Sequence, residues 1–180
     1  MSSETPADPT PEPSPLKPPS LFRALVLSSV LVFVDAFWLN QGAVALFVAV
    51  GLLSIGLPRS FLRRFAAVRR QRLRNLGIYL AAVAAVFALN HANNRLAQQR
   101  ADALVSAVGA FHAKYARYPG SLDELVPEFI DRVPLAKYTL GMNRFSYLER
   151  QGDAHLSYVE FPPFGRPIYR FSRGSWGNLD

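Results

Sequence analysis

Apolar positions form unbroken runs in the first half of the chain and a periodic pattern in the second, and this change divides the chain in two. Between Leu21 and Leu39 the only ionisable residues are Arg23 and Asp35. As a helix this run spans about 28 Å, close to the roughly 30 Å hydrocarbon core of a bilayer. Asn40, Gln41 and Gly42 interrupt it. A second run comes next and is ended by Pro58, and a third, rich in alanine, covers residues 76–92. The pattern predicts three transmembrane helices, at residues 21–39, 42–57 and 76–92, the first two joined as a hairpin by a three-residue turn.

Periodicity then replaces continuity. Ala97, Ala101, Leu104, Val108, Phe111 and Tyr115 recur at spacings of three and four, which is one apolar stripe on a helix. No proline falls between residues 76 and 117, so the third span is expected to continue straight into this amphipathic helix. Ser121, Leu122, Asp123 and Glu124 read as a capping box that starts a short helix, and Pro127 and Pro134 limit each later piece to a turn or two. Residues 144–150 and 154–161, separated by Gln151-Gly152-Asp153, predict a hairpin. Pro162 and Pro163 break it, residues 167–172 make a third strand, and Gly174 to Gly177 close the chain. The expected fold is an α+β membrane protein: three transmembrane helices, the third continuing into a long amphipathic helix packed on a small three-stranded antiparallel sheet.

Composition supports the membrane assignment. Half of the 180 residues are hydrophobic and only 18% are charged, below the roughly 25% of an ordinary soluble domain. Residues 1–20 hold seven of the fourteen prolines and predict a disordered tail. The net charge of +7 traces to one segment, residues 58–75, where Arg59, Arg63, Arg64, Arg69, Arg70, Arg72 and Arg74 stand without an acid. An arginine-rich loop between spans stays cytoplasmic and meets anionic lipid, which orients the N-terminus inward and residues 93–180 outward. The expected location is a bacterial inner membrane with a periplasmic C-terminal domain. Phe61 and Phe65 are too few to interleave the arginines as base-stacking platforms, so nucleic acid is not an expected partner. A cleaved signal peptide is the competing reading of the first run. The long, weakly basic tail and the sequence Asp35-Ala36-Phe37-Trp38 argue against it.

Few residues suggest chemistry. The chain has no cysteine, which removes disulfides, thiolate metal sites and cysteine nucleophiles. His91, His112 and His155 lack a second ligand at metal spacing, and Ser157 beside His155 has no evident acid to complete a triad. The reading is therefore of no catalytic, metal or cofactor site, and of a protein that is not an enzyme. Asp35 is a candidate intramembrane polar site, although Trp38 one turn later suggests that it sits at the outer edge and reaches water. Tyr158, Tyr169 and Trp176 are candidates for an interaction surface, with the core of a small domain as the plainer role.

The stretch FHAKYARYPGSLDELVP, residues 111–127, resembles the junction of type II secretion pseudopilins and type IV pilins. In that family a membrane helix continues into an amphipathic helix, ends in a tyrosine-proline turn, and is followed by a short capped helix and an antiparallel sheet. Tyr115, Tyr118, Pro119, Leu122, Leu125 and Val126 stand in the corresponding places. The prepilin cleavage pattern is absent: Gly77 precedes Ile78, but Ala82 stands where the family has a glutamate, and two further spans come first. The resemblance implies a pilin-like layout over residues 76–180. It does not extend to processing, fibre formation or a calcium site. Implied partners are pilins, pseudopilins or their assembly platform, in addition to membrane lipids. The alternative is a membrane-anchored ligand-binding or sensor domain.

Overall fold

The computed structural model describes residues 17–161 and 165–179. Most of the predicted tail, residues 1–16, and the proline break at 162–164 lie outside the described residues. Among the described residues three helices are long and apolar enough to cross a membrane: Leu21–Leu39, Ala43–Ser60 and Phe65–Tyr115.

Ser20 starts the first helix by accepting the Arg23 amide on its hydroxyl at 3.4 Å. The last two turns, Phe33–Leu39, are wound as a π helix, and Asn40 ends it in a left-handed conformation. The second helix starts at Gly42, also left-handed, with φ +73°. A Cβ on Gly42 would stand 3.0 Å from the Phe87 ring, so glycine answers both the dihedral and the close approach.

The third helix is the spine. Its α-helical part, Arg69–Tyr115, has 47 residues and measures about 70 Å. A 3₁₀ turn, Arg63–Val68, leads into it. The helix thus begins earlier than the expected residue 76, and the arginine segment 58–75 is not one loop. Arg59 lies at the end of the second helix, Arg63 in the 3₁₀ turn, and Arg69, Arg70, Arg72 and Arg74 in the first turns of the spine. Arginine is a good helix former, and nothing in 65–75 breaks the backbone ladder. The first and second helices pack on the spine through Ala36, Ala45, Val83 and Val86, with small residues allowing close approach.

Beyond the hairpin the spine turns its other stripe to the α+β unit. Ala97, Ala101, Leu104, Val108 and Phe111 are buried as the periodicity predicts, joined by Ala107. Tyr115 departs: it is 45% exposed, and its hydroxyl donates to Glu128, which also pairs with Lys114. The capping box is half formed. The Leu122–Leu125 turn is 3₁₀ and Ser121 places no side-chain oxygen on it, whereas Glu124 reaches back to the Gly120 amide at 2.8 Å and to Arg117 at 2.9 Å.

The sheet has four antiparallel strands, not three: β1 (Ser146–Arg150), β2 (Asp153–Ser157), β3 (Pro167–Arg170) and β4 (Ser175–Asn178), in that order. The chain's close is itself strand β4. Gly174, at φ +60°, lets the chain reverse, and Trp176 then stands opposite Tyr169 with ring centroids 5.3 Å apart. Two glycines in so short a segment hide a strand that pairs with β3 over four residues, Tyr169 and Trp176 among them.

Candidate functional site

Asp35 does not reach water. Its side chain is fully buried between the hairpin and the spine. One carboxylate oxygen accepts the Gly42 amide at 2.9 Å, the other the Ala45 amide at 2.6 Å. These belong to the first turn of the second helix, where amide groups have no intrahelical acceptor and negative charge is favoured. The π winding of Phe33–Leu39 turns Asp35 and Ala36, adjacent in sequence, both inward. Asp35 is therefore the cap that closes the hairpin from seven residues upstream. Asn90, near Gly42, is also buried, as are Asn40 and Asn94. Removing the cap with Asp35→Ala orphans two buried amides and is expected to cost about 2–4 kcal/mol in detergent denaturation, with Asp35→Asn losing less. A variant as stable as the parent would show that these bonds do not hold the turn.

The arginines flank the opposite end of the hairpin. Arg59, Arg63, Arg70 and Arg74 are exposed; the Arg64 side chain lies outside what the structure describes. Arg72 stacks on Phe65 with its guanidinium carbon 3.6 Å from the ring centroid, and Arg69 lies over Phe61 at 5.6 Å. No described arginine of this group pairs with a described carboxylate. The two phenylalanines thus support guanidinium groups at the end of the apolar bundle. Beside them Asn75 donates to the Ser20 carbonyl at 3.3 Å, tying the start of the first helix to the spine.

Tyr158, Tyr169 and Trp176 come together in the core. Tyr158 is 5% exposed, and all three pack in the layer between the sheet and the spine. Burial pushes the Tyr158 phenol up to about 12. The Trp176 indole donates to Asp102 of the spine at 3.2 Å. What remains at the surface is a groove of about 380 Å³ whose lining includes Tyr158, Trp176, Gln98 and Glu160. A second groove, about 420 Å³, lies beside Ser121, Asp123, Arg144 and Tyr147.

The histidines stay apart. His91 and His112 are exposed on the spine, and His112 stacks on Tyr118 with ring centroids 4.3 Å apart. His155 has an acid neighbour that sequence reasoning missed: Asp153, two residues earlier on the same strand face, 3.6 Å away. The Ser172 hydroxyl, at 2.9 Å, and two backbone amides already occupy that carboxylate, with the hydroxyl contributing most to holding it below the usual range. Asp153 therefore anchors the β3–β4 turn to β2. Among the described residues no group of three or more His, Cys, Asp or Glu gathers to hold a metal.

The sequence reading also missed Lys137. Its side chain is 1% exposed, and its ammonium donates to the Glu160 carbonyl at 2.5 Å. Burial lowers its pKa to about 8, although the charge of Glu160 favours the proton. A lone lysine in a loop gives no sequence signal of burial. Comparison with protein families, characterised proteins and solved structures finds no match to this chain.

The unfolded chain keeps the Lys137 proton up to about pH 10.4, so between about pH 8 and that value it binds more protons than the folded state. Stability is therefore expected to rise with pH across this window. Lys137→Met is expected to flatten that rise and to add about 2 kcal/mol at neutral pH, read from melting curves of the full chain in detergent. A profile unchanged by the substitution would mean that the ammonium is solvated.

Proposed function

We propose that this chain is a non-enzymatic membrane protein of the bacterial inner membrane. On this reading it presents a small pilin-like α+β unit outside the membrane as an interaction module of a pilus-type or secretion-type assembly. One observation carries the reading: a single unbroken helix, Arg69–Tyr115, is both the third apolar helix of the bundle and the spine of the α+β unit. A unit so attached is held at a fixed height and orientation, which suits a docking role more than a freely tethered ligand-binding domain. The layout, helix to tyrosine-proline turn to short helix to antiparallel sheet, is also what the resemblance to pseudopilins implies.

The exposed arginines at one end of the bundle support a cytoplasmic placement of that end. The α+β unit, at the other end of the spine, is then periplasmic. The docking surface shifts from the buried aromatics to the outer face of the sheet, where Leu148 is 58% exposed and β1 presents an unpaired edge. A membrane-anchored sensor is the second reading, favoured by the grooves beside Tyr147 and Trp176.

Photo-crosslinking amino acids at Leu148 and Asn178 in living cells are expected to capture pilins, pseudopilins or their membrane platform. Recovery of the protein alone, or of unrelated envelope proteins, would contradict the assembly role and leave the sensor reading.

A further inference from the structure

Residues 134–143 lie in the connection between the short helix and β1, and their in-and-out pattern is reversed for a loop in water. Ala136, Lys137 and Thr139 point inward, at 0%, 1% and 7% exposure. Tyr138, Leu140 and Met142 point outward, at 59%, 66% and 54%. A loop bathed in water gains by exposing the lysine and the threonine and burying the tyrosine and the leucine. Here the reverse arrangement is held rigidly. The Tyr138 amide donates to Asn93 of the spine at 3.4 Å, and Arg100 donates to the Leu135 carbonyl at 2.7 Å and to the Tyr138 hydroxyl at 2.6 Å. The Lys137 ammonium holds the segment from behind.

The height of this loop identifies what it faces. The Leu140 amide donates at 2.8 Å to the carbonyl of Phe37, in the last turn of the first apolar helix. That carbonyl lies where the helix can no longer satisfy its own acceptors. Leu140 is thus level with the closed end of the hairpin, where Trp38 is 62% exposed and Phe87, packed against Gly42, is 45% exposed. Trp38, Phe87 and Leu140 are exposed apolar and aromatic side chains at this end, the composition favoured at a membrane–water boundary, and Tyr138 stands farther along, its ring 4.6 Å from the Arg100 guanidinium carbon. Arg100 of the spine and Arg132 of the connection line a groove of about 300 Å³ with Tyr138, placing two cations beside it.

We propose that residues 135–142 are a membrane-seating loop. It lies in the boundary between headgroups and acyl chains of the leaflet at the Trp38 end, with Leu140 and Met142 in the apolar zone and the arginines among lipid phosphates. The occupant of this surface is the phospholipid bilayer, because the surface is continuous with helices that are themselves apolar on their outer faces. The inference rests on the membrane reading above and adds a second attachment of the α+β unit. The spine would set its height and the loop its tilt.

The absence of native cysteine makes the test direct. Single cysteines replace Leu140 (L140C), Phe47 (F47C) and Arg173 (R173C), each labelled with an environment-sensitive fluorophore. The full chain is reconstituted in vesicles of equal parts phosphatidylcholine and phosphatidylglycerol. Phosphatidylcholine carrying a spin label high on its acyl chain serves as the quencher. Leu140 and Phe47 are exposed side chains, so the substitutions leave the Leu140 amide bond to Phe37 intact. The expected result is loss of most emission at Leu140 and at Phe47, and little at Arg173, in the turn before β4. Quenching at Phe47 without quenching at Leu140 would overturn the seating loop while leaving the membrane reading standing, and the loop would then face protein or water. No quenching at Phe47 would overturn both. Met142→Cys (M142C) provides a second position in the loop, expected to behave as Leu140 does.

Discussion

The structure depends on one backbone ladder, the 47-residue helix Arg69–Tyr115. Its lower part buries Leu76, Val83 and Val86 against the hairpin, and its upper part buries Leu104, Val108 and Phe111 against the α+β unit. A unit of this size has too little core to be secure alone, and here more than half of its buried core residues come from the spine. Interrupting the ladder between the two would separate the apolar bundle from the unit that completes its core on the same helix. The absence of proline across this stretch is therefore a structural requirement.

Two buried ionisable groups sit where the chain must turn. Asp35 caps the second helix, its two carboxylate oxygens accepting the Gly42 and Ala45 amides. Lys137 has a single carbonyl partner among the described residues and is the weaker arrangement, as its lowered pKa reflects. It sits behind the segment whose outer side carries Tyr138 and Leu140. One buried polar group thus closes the hairpin, and the other ties the loop to the Glu160 carbonyl.

Much of this was legible in the residues. Runs without charge mark the apolar helices, and spacings of three and four mark the buried stripe, because both depend on side-chain character along a regular backbone. Three features were not legible, each for its own reason. The start of the spine at Arg69 was masked because arginines read as a loop between spans, although they also form helix well. Strand β4 was masked by its glycines and by a pairing visible only once Trp176 stands opposite Tyr169. The burial of Asp35 and Lys137 depends on partners distant in the chain or on main-chain atoms, which carry no local pattern. The aromatic residues were recognised as a group, but whether such a group faces in or out depends on which side of the sheet the spine covers.

The α+β unit is carried on the same helix that packs into the apolar bundle. The central claim is that the long helix crosses the membrane, with its arginine end inside and its sheet end outside. Single cysteines at Arg70 and Arg173, probed with a membrane-impermeant maleimide, test it most directly. In intact cells with a permeabilised outer envelope, the account expects the cysteine at 173 to react at once and the cysteine at 70 to react only after lysis. Reaction of both before lysis, or of neither, would place the two ends of the helix on one side and contradict the account.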